Sequence, residues 1–222
     1  MSEDNIENLG EGLSKLEQFF EDNKTKVYGV VGAIAVVILA SWGYNEFIVK
    51  PKEEKAKESF WRAENALLNN NDYEQAIYGD STGTFIGLEK FVQEYGSTKA
   101  GNLAYYDLGV AYLNLGEFQK AIDALEQFKS DDEMLSSIAL GAIGDANLEL
   151  GKTEEAAAKY MAAANNSDNF FTAAIYLKKA GFAYEMLNQN DKALEAYETI
   201  EEKYPNSQEA REITKDIARL KQ

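Results

Sequence analysis

Small and large apolar positions recur in a fixed order three times between residues 102 and 205. In each copy a Gly is followed twelve residues later by an Ala, and a large apolar residue stands four positions after that Ala. Apolar residues spaced three and four apart within each half of a copy are typical of amphipathic helices. Each copy is therefore predicted to form a pair of helices. The shared positions are Gly109, Gly144 and Gly181, then Ala121, Ala156 and Ala193, and finally Leu125, Tyr160 and Tyr197.

A turn signal lies between the two predicted helices of each copy. Gly116 and Gly151 occupy it in the first two copies, each directly after a Leu, and Leu187 stands there in the third. A Gly just past a helix end adopts the left-handed conformation that closes the helix. Pro205 follows the last copy and is expected to stop its second helix, because Pro cannot continue a helix interior.

The Gly and Ala positions are interpreted as the places where paired helices approach most closely, so that only small side chains fit. Large residues such as Tyr112 and Tyr184 would fill the space between neighbouring pairs. Three unrelated hairpins in a plain bundle are the alternative, but several positions repeat in register. The pattern resembles the tetratricopeptide repeat, which reads W-x2-L-G-x2-Y, then A-x3-F, then P, with a period of about 34 residues. The predicted fold class is all-α: a single N-terminal transmembrane helix followed by a helical solenoid, with three repeats at residues 98–205.

Both flanks of the three copies carry weaker helical patterns. Residues 50–97 are interpreted as a linker helix and a degenerate first hairpin, whose second helix covers about residues 84–95. The connection at residues 73–83 is longer than the repeat pattern allows and is expected to be a solvated insertion. Residues 206–222 are predicted to form a final helix that caps the last pair. The apolar stripes are Ala56, Phe60, Ala63 and Leu67, then Phe85, Leu88, Phe91 and Val92, and at the end Ala210, Ile213, Ile217 and Leu220.

An uncharged run at residues 27–45 predicts a transmembrane helix, which is expected to extend over residues 27–49. At about 1.5 Å per residue the run just crosses a hydrocarbon core of about 30 Å. Tyr28 and Trp42 stand near its ends, as interfacial aromatic residues do. A buried core helix is the alternative, but the run is apolar on all faces. Gly29 and Ala33 form a small-xxx-small pair on which a second membrane helix would pack.

The tail at residues 1–26 is polar and acidic. A cleaved signal peptide begins with a short basic segment, so an uncleaved anchor fits this tail better. An apolar stripe within the tail predicts a short amphipathic helix. This helix is expected to lie on the bilayer or to be partly disordered, and the alternative is that it docks on a partner protein. Pro51 is expected to mark a helix boundary or kink just past the membrane. The stripe consists of Ile6, Leu9, Leu13, Leu16 and Phe20.

The resemblance to tetratricopeptide repeats implies a concave protein-binding groove built from the first helix of each repeat. These positions are mainly apolar with a few acids, and they lack the basic and Asn cluster that grips a C-terminal carboxylate. The expected ligand is therefore an amphipathic helix or an unfolded segment. The alternative is that Tyr106, Leu113 and Phe182 only pack between repeats or against the degenerate first pair. The predicted groove residues are Tyr106, Val110, Leu113, Asn114, Gly141, Asp145, Leu148, Glu149, Lys178, Phe182, Glu185 and Met186.

Composition narrows the function classes. A hydrophobic content of 45% with two Pro favours a folded, mostly helical chain. The formal net charge of −16 argues against nucleic acid as a partner, since the acidic chain and a phosphate backbone would repel each other. The sequence has neither Cys nor His, which removes disulfides, thiolate metal sites and the commonest general base. No nucleotide-binding motif is present, so neither an enzyme nor a cofactor is expected.

An acidic tail, one uncleaved anchor and a C-terminal repeat domain together resemble the YfgM-like proteins, ancillary subunits of the bacterial Sec translocon. Residues 94–98, 104–118 and 178–205 resemble the versions found in Bacteroidota-type bacteria. The resemblance implies association with the SecYEG channel and with a membrane-anchored, PpiD-like periplasmic chaperone. It also implies exported polypeptides as clients, an inner-membrane anchor with a cytoplasmic N-terminus, and a periplasmic repeat domain.

The charges that flank the anchor leave its orientation open. Taken literally, the positive-inside rule would hold the repeat domain in the cytoplasm, but the rule weakens for a long translocated domain. An alternative function is a tetratricopeptide assembly factor for cell-envelope complexes of the outer-membrane or cell-division type. The outer-membrane assembly proteins usually carry a lipid-modified Cys, and this chain has none.

Overall fold

The computed structural model describes residues 17–70, 72–80, 83, 86–166 and 169–222, and all regular secondary structure in these ranges is helical. The chain divides into two compact units, Met1–Lys52 and Glu53–Gln222. Four residues of the predicted tail stripe, Ile6, Leu9, Leu13 and Leu16, lie outside the described residues. The helices are α1 Lys24–Tyr44, α2 Lys50–Asn70, α3 Tyr73–Tyr78, α4 Gly87–Tyr95, α5 Lys99–Asn114, α6 Phe118–Leu125, α7 Glu133–Glu149, α8 Thr153–Asn166, α9 Thr172–Met186, α10 Asn190–Lys203, α11 Gln208–Glu212 and α12 Thr214–Leu220.

The first unit contains α1, a candidate membrane span. The described part of the chain has one helix long and apolar enough to cross a membrane, Lys24–Asn65, and α1 forms its apolar part. No residue of α1 is buried, whereas the alternative of a buried core helix requires a covered surface. Gly29 and Ala33 are exposed on α1, and a Cβ built on Gly29 meets open space. Their role in helix packing stays a prediction.

A π-helical turn at Asn45–Val49 joins α1 to α2. Within it the N–H of Lys50 donates to the carbonyl of Asn45, five residues earlier. Pro51 follows directly, and a Pro ring collides with the carbonyl four residues before it in a regular α-helix. A wider turn at this point is a known way to relieve such a collision. The helix therefore continues through Pro51, where the sequence predicted a boundary or kink.

The three repeated copies form the helix pairs α5–α6, α7–α8 and α9–α10, as the sequence pattern predicted. The Gly positions are the places of closest approach. A Cβ on Gly144 would lie 2.5 Å from Cε1 of Tyr160, well inside van der Waals contact. Leu125 fills the same space against Gly109, and Tyr197 fills it against Gly181. The Gly and the large residue four positions after the Ala are therefore one contact, made three times.

The turn inside each pair has the same closed geometry in all three copies. Gly116 and Gly151 have φ values of +77° and +72°, and Asn188 takes the third place with φ +57°. In the first copy the N–H of Glu117 donates to the carbonyl of Tyr112 at 2.9 Å, and the matching bonds recur in the other two. This is the Schellman arrangement, which satisfies carbonyls at the helix end. Asn is among the non-Gly residues that tolerate the left-handed region best.

Neighbouring copies are joined by polar contacts that span slightly fewer residues than the 35 and 37 that separate equivalent positions of the copies. Each contact pairs a Lys with a residue 33 or 34 positions away on the adjacent copy. Exposed ion pairs contribute at most about 1 kcal/mol each, so they fix the register between pairs more than they stabilise the array. The contacts are Lys152 to Gln119 at 3.0 Å, Lys159 to Glu126 at 3.3 Å and Lys179 to Asp145 at 2.7 Å.

The first hairpin departs from the sequence-based prediction. The solvated insertion expected at residues 73–83 begins instead with α3, whose start is capped by Asp72 accepting from the N–H of Gln75 at 2.9 Å. Ala76 and Ile77 of α3 are fully buried, so this part of the prediction is wrong. The predicted second helix exists as α4 but begins at Gly87; Phe85, the first residue of its predicted stripe, lies outside the described residues.

The other apolar stripes of the flanks are buried, except that Leu220 at the end of the last stripe is only partly buried. Phe60 of α2 packs on Phe91 of α4 with ring centroids 5.5 Å apart. At the C-terminus two short helices, α11 and α12, stand where one final helix was predicted. Ser207 caps α11 by accepting from the N–H of Ala210, and Ile213 and Ile217 are buried against the last pair. The cap therefore covers the end of the solenoid in two segments.

A carboxyl group is buried in the N-terminal half of the second unit, Glu53–Gln222, which is called the repeat unit below. Asp107 lies on α5, and its Oδ2 atom has no hydrogen-bond partner among the described atoms. Burial, and secondarily the charge of Glu64 on α2, raises the pKa of Asp107 to about 7 from an ordinary value of 3.8. An unpaired charge in such a place is unfavourable, so the folded chain holds the proton that the unfolded chain releases.

We expect Gly144→Val to destabilise the repeat unit by about 2 kcal/mol, because the new side chain overlaps the Tyr160 ring. The gain in helix propensity from Gly to Val is only a few tenths of a kcal/mol and cannot offset this. Thermal unfolding of the full chain in mild detergent, followed by circular dichroism, should show a Tm lower by roughly 5 °C. In a Tyr160→Ala background the same change should cost much less, and an undiminished loss there would contradict the assigned contact.

Asp107→Asn should alter how stability depends on pH. Because the folded pKa lies above the unfolded one, wild-type stability falls as pH rises from 3.8 to about 7 and then levels off. The variant lacks this titration, so its Tm relative to wild type should become more favourable between about pH 5 and pH 8. Between pH 5 and pH 7 the difference in the free energy of unfolding between variant and wild type should change by roughly 3 kcal/mol. A difference in Tm that is the same at both pH values would show that Asp107 titrates normally.

Candidate protein-binding groove

The first helices of successive repeats lie side by side along one face of the repeat unit. Helix α7 contacts both α5 and α9, and α9 contacts both α7 and α11. A groove of about 560 Å³ lies on α9, with α7 on one side and the two capping helices on the other. Five predicted groove residues line it, namely Asp145, Leu148, Lys178, Phe182 and Glu185. The other lining residues are Tyr160, Ile175, Lys179, Tyr197, Glu209, Asp216 and Arg219.

Apolar side chains supply one part of the lining. Leu148 and Ile175 are partly buried, and Phe182 of α9 remains 56% exposed. Met186 stands one helical turn after Phe182 and is 52% exposed. Residues four apart lie on the same face of a helix, so Met186 extends the apolar surface of Phe182. A large exposed Phe in a concave site is the type of anchor that protein-binding sites use.

The first polar cluster joins the second and third repeats. Asp145 of α7 accepts from the hydroxyl of Tyr160 at 2.6 Å and from the ammonium of Lys179 at 2.7 Å. The Lys179 ammonium also lies 5.5 Å from the centroid of the Tyr160 ring and 5.9 Å from that of Tyr176. Gly141 leaves room for the Tyr176 ring, because a Cβ at Gly141 would overlap that ring. The cluster therefore fixes the positions of the Asp145 carboxylate and the Lys179 ammonium.

The second polar cluster joins the third repeat to the cap. Glu185 of α9 accepts from the hydroxyl of Tyr197 at 2.9 Å and pairs with the guanidinium of Arg219 at 2.6 Å. Arg219 also pairs with Asp216 at 2.9 Å. Hydrogen bonds from Arg219 and Tyr197 lower the pKa of Glu185 in spite of partial burial. This carboxylate is thus ionised at neutral pH.

The two tyrosines that reach these carboxylates stay protonated over the physiological range. Burial, together with hydrogen bonds to Asp145 and Glu185, raises the pKa of both Tyr160 and Tyr197. Each phenol therefore acts as a fixed hydrogen-bond donor. Within the described residues no group of three or more His, Cys, Asp or Glu is placed to hold a metal ion. The arrangement suits recognition of side chains through apolar contact and charge.

Several predicted groove residues lie elsewhere. Tyr106 packs on Phe128 with ring centroids 5.3 Å apart, and Tyr106 and Leu113 belong to the packing around the first half of the core. Tyr106 and Phe128 belong to the same copy, so this ring contact lies within one repeat, and the alternative that these residues pack between repeats stays a prediction. Val110 is partly buried, and its carbonyl accepts from the side chain of exposed Asn114. Glu149 is exposed at the end of α7.

Seven residues of the groove lining were not anticipated as such: Tyr160, Ile175, Lys179, Tyr197, Glu209, Asp216 and Arg219. The sequence marked the two tyrosines as packing residues, and their hydroxyls extend that contact to the carboxylates. Lys179 comes from the repeat after Asp145 and lies 34 residues further along the chain. The position equivalent to Asp145 in that repeat is Phe182, so the repeat pattern did not point to the pair. Arg219 belongs to the capping segment, which was considered only for its apolar face.

Comparison with known proteins identifies the repeats. The family model described as Tetratricopeptide repeat matches residues 103–132 and 177–207, which cover the first and third copies. No curated protein sequence gives a significant match to the chain. Tetratricopeptide-repeat proteins are generally non-enzymatic scaffolds that mediate contacts between proteins. The helix pairs of the second unit thus have the fold of a tetratricopeptide-type solenoid, with family matches in its first and third copies and with α11 and α12 as the cap.

Proposed function

We propose that this chain is a non-enzymatic protein-binding scaffold anchored in a bacterial inner membrane. Its tetratricopeptide unit lies in the periplasm, and its N-terminus lies in the cytoplasm. At the inner membrane the chain associates with the SecYEG translocon and with a membrane-anchored, PpiD-like periplasmic chaperone. Its role is to assist the handover or folding of newly exported proteins.

The exposed apolar surface of α9 is the observation that carries this proposal. Phe182 in the groove lining and Met186, one turn beyond it, each leave about half of their surface uncovered. Exposed apolar patches within a concave, charged surround mark interaction sites more often than catalytic ones. The groove is therefore assigned to a protein ligand and not to a reaction.

The candidate membrane span supports the location. Helix α1 is apolar on all faces and has no buried residue, as a helix surrounded by lipid would be. The inner membrane, the orientation and the Sec partners rest on the resemblance to YfgM-like proteins. That resemblance concerns the order of tail, anchor and repeats, so it is an analogy of arrangement.

Affinity purification of the tagged full chain in mild detergent tests the partners. We expect the Sec channel and a membrane-anchored chaperone to co-purify with the wild type. Phe182→Ala should lower recovery of the proteins held by the groove several-fold, because it removes an exposed anchor without opening a core cavity. Phe171→Ala is the matched control, since Phe171 is 58% exposed and lies outside the groove lining. Recovery of outer-membrane assembly proteins alone would instead support the envelope-assembly alternative.

Protease treatment of spheroplasts tests the orientation. Residues 53–222 should be digested from outside while a cytoplasmic marker stays intact, because the proposed repeat unit faces the periplasm. The same protease should digest both proteins after the membrane is dissolved, which verifies that the repeat unit is cleavable. Protection of the repeat unit in intact spheroplasts would place it in the cytoplasm and overturn the proposed location.

A further inference from the structure

The charges in and around the groove are unequal. Five carboxylates belong to it or pair with its lining, against three cationic side chains. The carboxylates are Asp145, Glu185, Glu209, Glu212 and Asp216, and the cations are Lys178, Lys179 and Arg219. The same sign dominates residues 53–222, which contain 30 Asp and Glu against 17 Lys and Arg. A charge that enters the groove therefore meets a negative potential from both near and far.

All three cations of the groove are already engaged. Lys179 pairs with Asp145, and Lys178 pairs with Glu212. Arg219 pairs with Glu185 and Asp216 at once, so one positive charge faces two negative ones. Glu209 on α11 has no ion pair among the described residues. The groove thus presents carboxylate charge that its own side chains do not neutralise.

The apolar and acidic parts lie on different elements of the same groove. Phe182 and Ile175 come from α9, which lies between α7 and the capping helix α11. Asp145 stands on the α7 side, while Glu209 and Asp216 stand on the side of the cap. A ligand that covers Phe182 therefore passes between acidic groups on both flanks.

We propose that the groove takes a segment of a partner protein in which large apolar side chains stand beside Lys or Arg. The apolar side chains cover Phe182 and Met186, and the basic ones face the carboxylates of the α7 and α11–α12 flanks. This inference rests on the proposed function, because it names the chemistry of the protein that the groove holds. The same charges weaken binding of an acidic segment of equal apolar content, which is how charge sets specificity.

Three labelled 12-residue peptides test the charge preference. They share the same Leu and Phe positions and carry Lys, Gln or Glu at the others. Binding to the full chain in phosphatidylcholine nanodiscs is measured by fluorescence anisotropy, and empty nanodiscs report direct binding to lipid. We expect the Lys peptide to bind about tenfold more tightly than the Glu peptide at low salt, with the Gln peptide between them. At high salt the preference should shrink to about twofold, because mobile ions screen the groove charges.

Two pairs of variants locate the effect. Phe182→Ala should weaken binding of the Lys peptide about fivefold, whereas the control Phe171→Ala should leave it unchanged. Glu209→Gln should weaken binding of the Lys peptide two- to threefold and leave the Gln peptide unaffected. Its control is Glu154→Gln, which removes an exposed carboxylate of α8 outside the groove lining.

Three outcomes would overturn the proposal. The first is equal affinity for the Lys and Glu peptides, and the second is Lys-peptide binding that neither Phe182→Ala nor Glu209→Gln weakens. The third is no binding above that of empty nanodiscs. These outcomes are separable from failure of the proposed function. If Phe182→Ala still lowers recovery of cellular partners, the groove binds proteins and only its charge preference is wrong. If Phe182→Ala changes neither measurement, the groove loses its assigned role altogether.

Discussion

The array depends on the contact between a Gly on the first helix of each repeat and a large side chain on the second. Gly109, Gly144 and Gly181 leave the space that Leu125, Tyr160 and Tyr197 fill. The contact fixes how close the two helices of a pair lie, and hence which positions of the first helix face the concave side. It also decides where the groove acquires polar character. The second and third copies have Tyr at the large position, and its hydroxyl reaches a carboxylate of the first helix. The first copy has Leu there and can donate nothing.

The sequence predicted this array well, because the Gly, Ala and large positions repeat in register and each has one physical explanation. The first hairpin was harder to predict, because the helical segment after α2 is divided into α3 and α4. Turn residues in Gly79–Gly83 indicated a loop, and they concealed the short helix α3 just before it. Gly87 then lies so close to the backbone of Gly79 that a Cβ would not fit. The two ends of the interruption therefore meet, so a longer connection is accommodated without displacing the buried Ala76 and Ile77.

The groove could be predicted only in part, for a related reason. Counting along a single helix identifies residues such as Asp145 and Phe182, because their direction follows from helical periodicity. It does not identify partners that come from another repeat or from the cap. Lys179 meets Asp145 through the stacking of neighbouring repeats. Arg219 enters because the last repeat must be covered, and the covering segment also carries polar side chains on its exposed face. A capping element that is needed for stability thus becomes a wall of the binding site.

The acidic charge of residues 53–222 affects which molecules can approach the apolar surface of the groove. An exposed Phe182 beside Met186 is a liability for self-association in a chain of ordinary charge. The excess of Asp and Glu throughout residues 53–222 opposes the approach of a second acidic chain to this surface. The same repulsion does not act on a partner that brings positive charge. The excess charge therefore favours basic ligands at the groove over acidic ones. This selectivity requires no conformational change, since it follows from fixed charges around a fixed apolar surface.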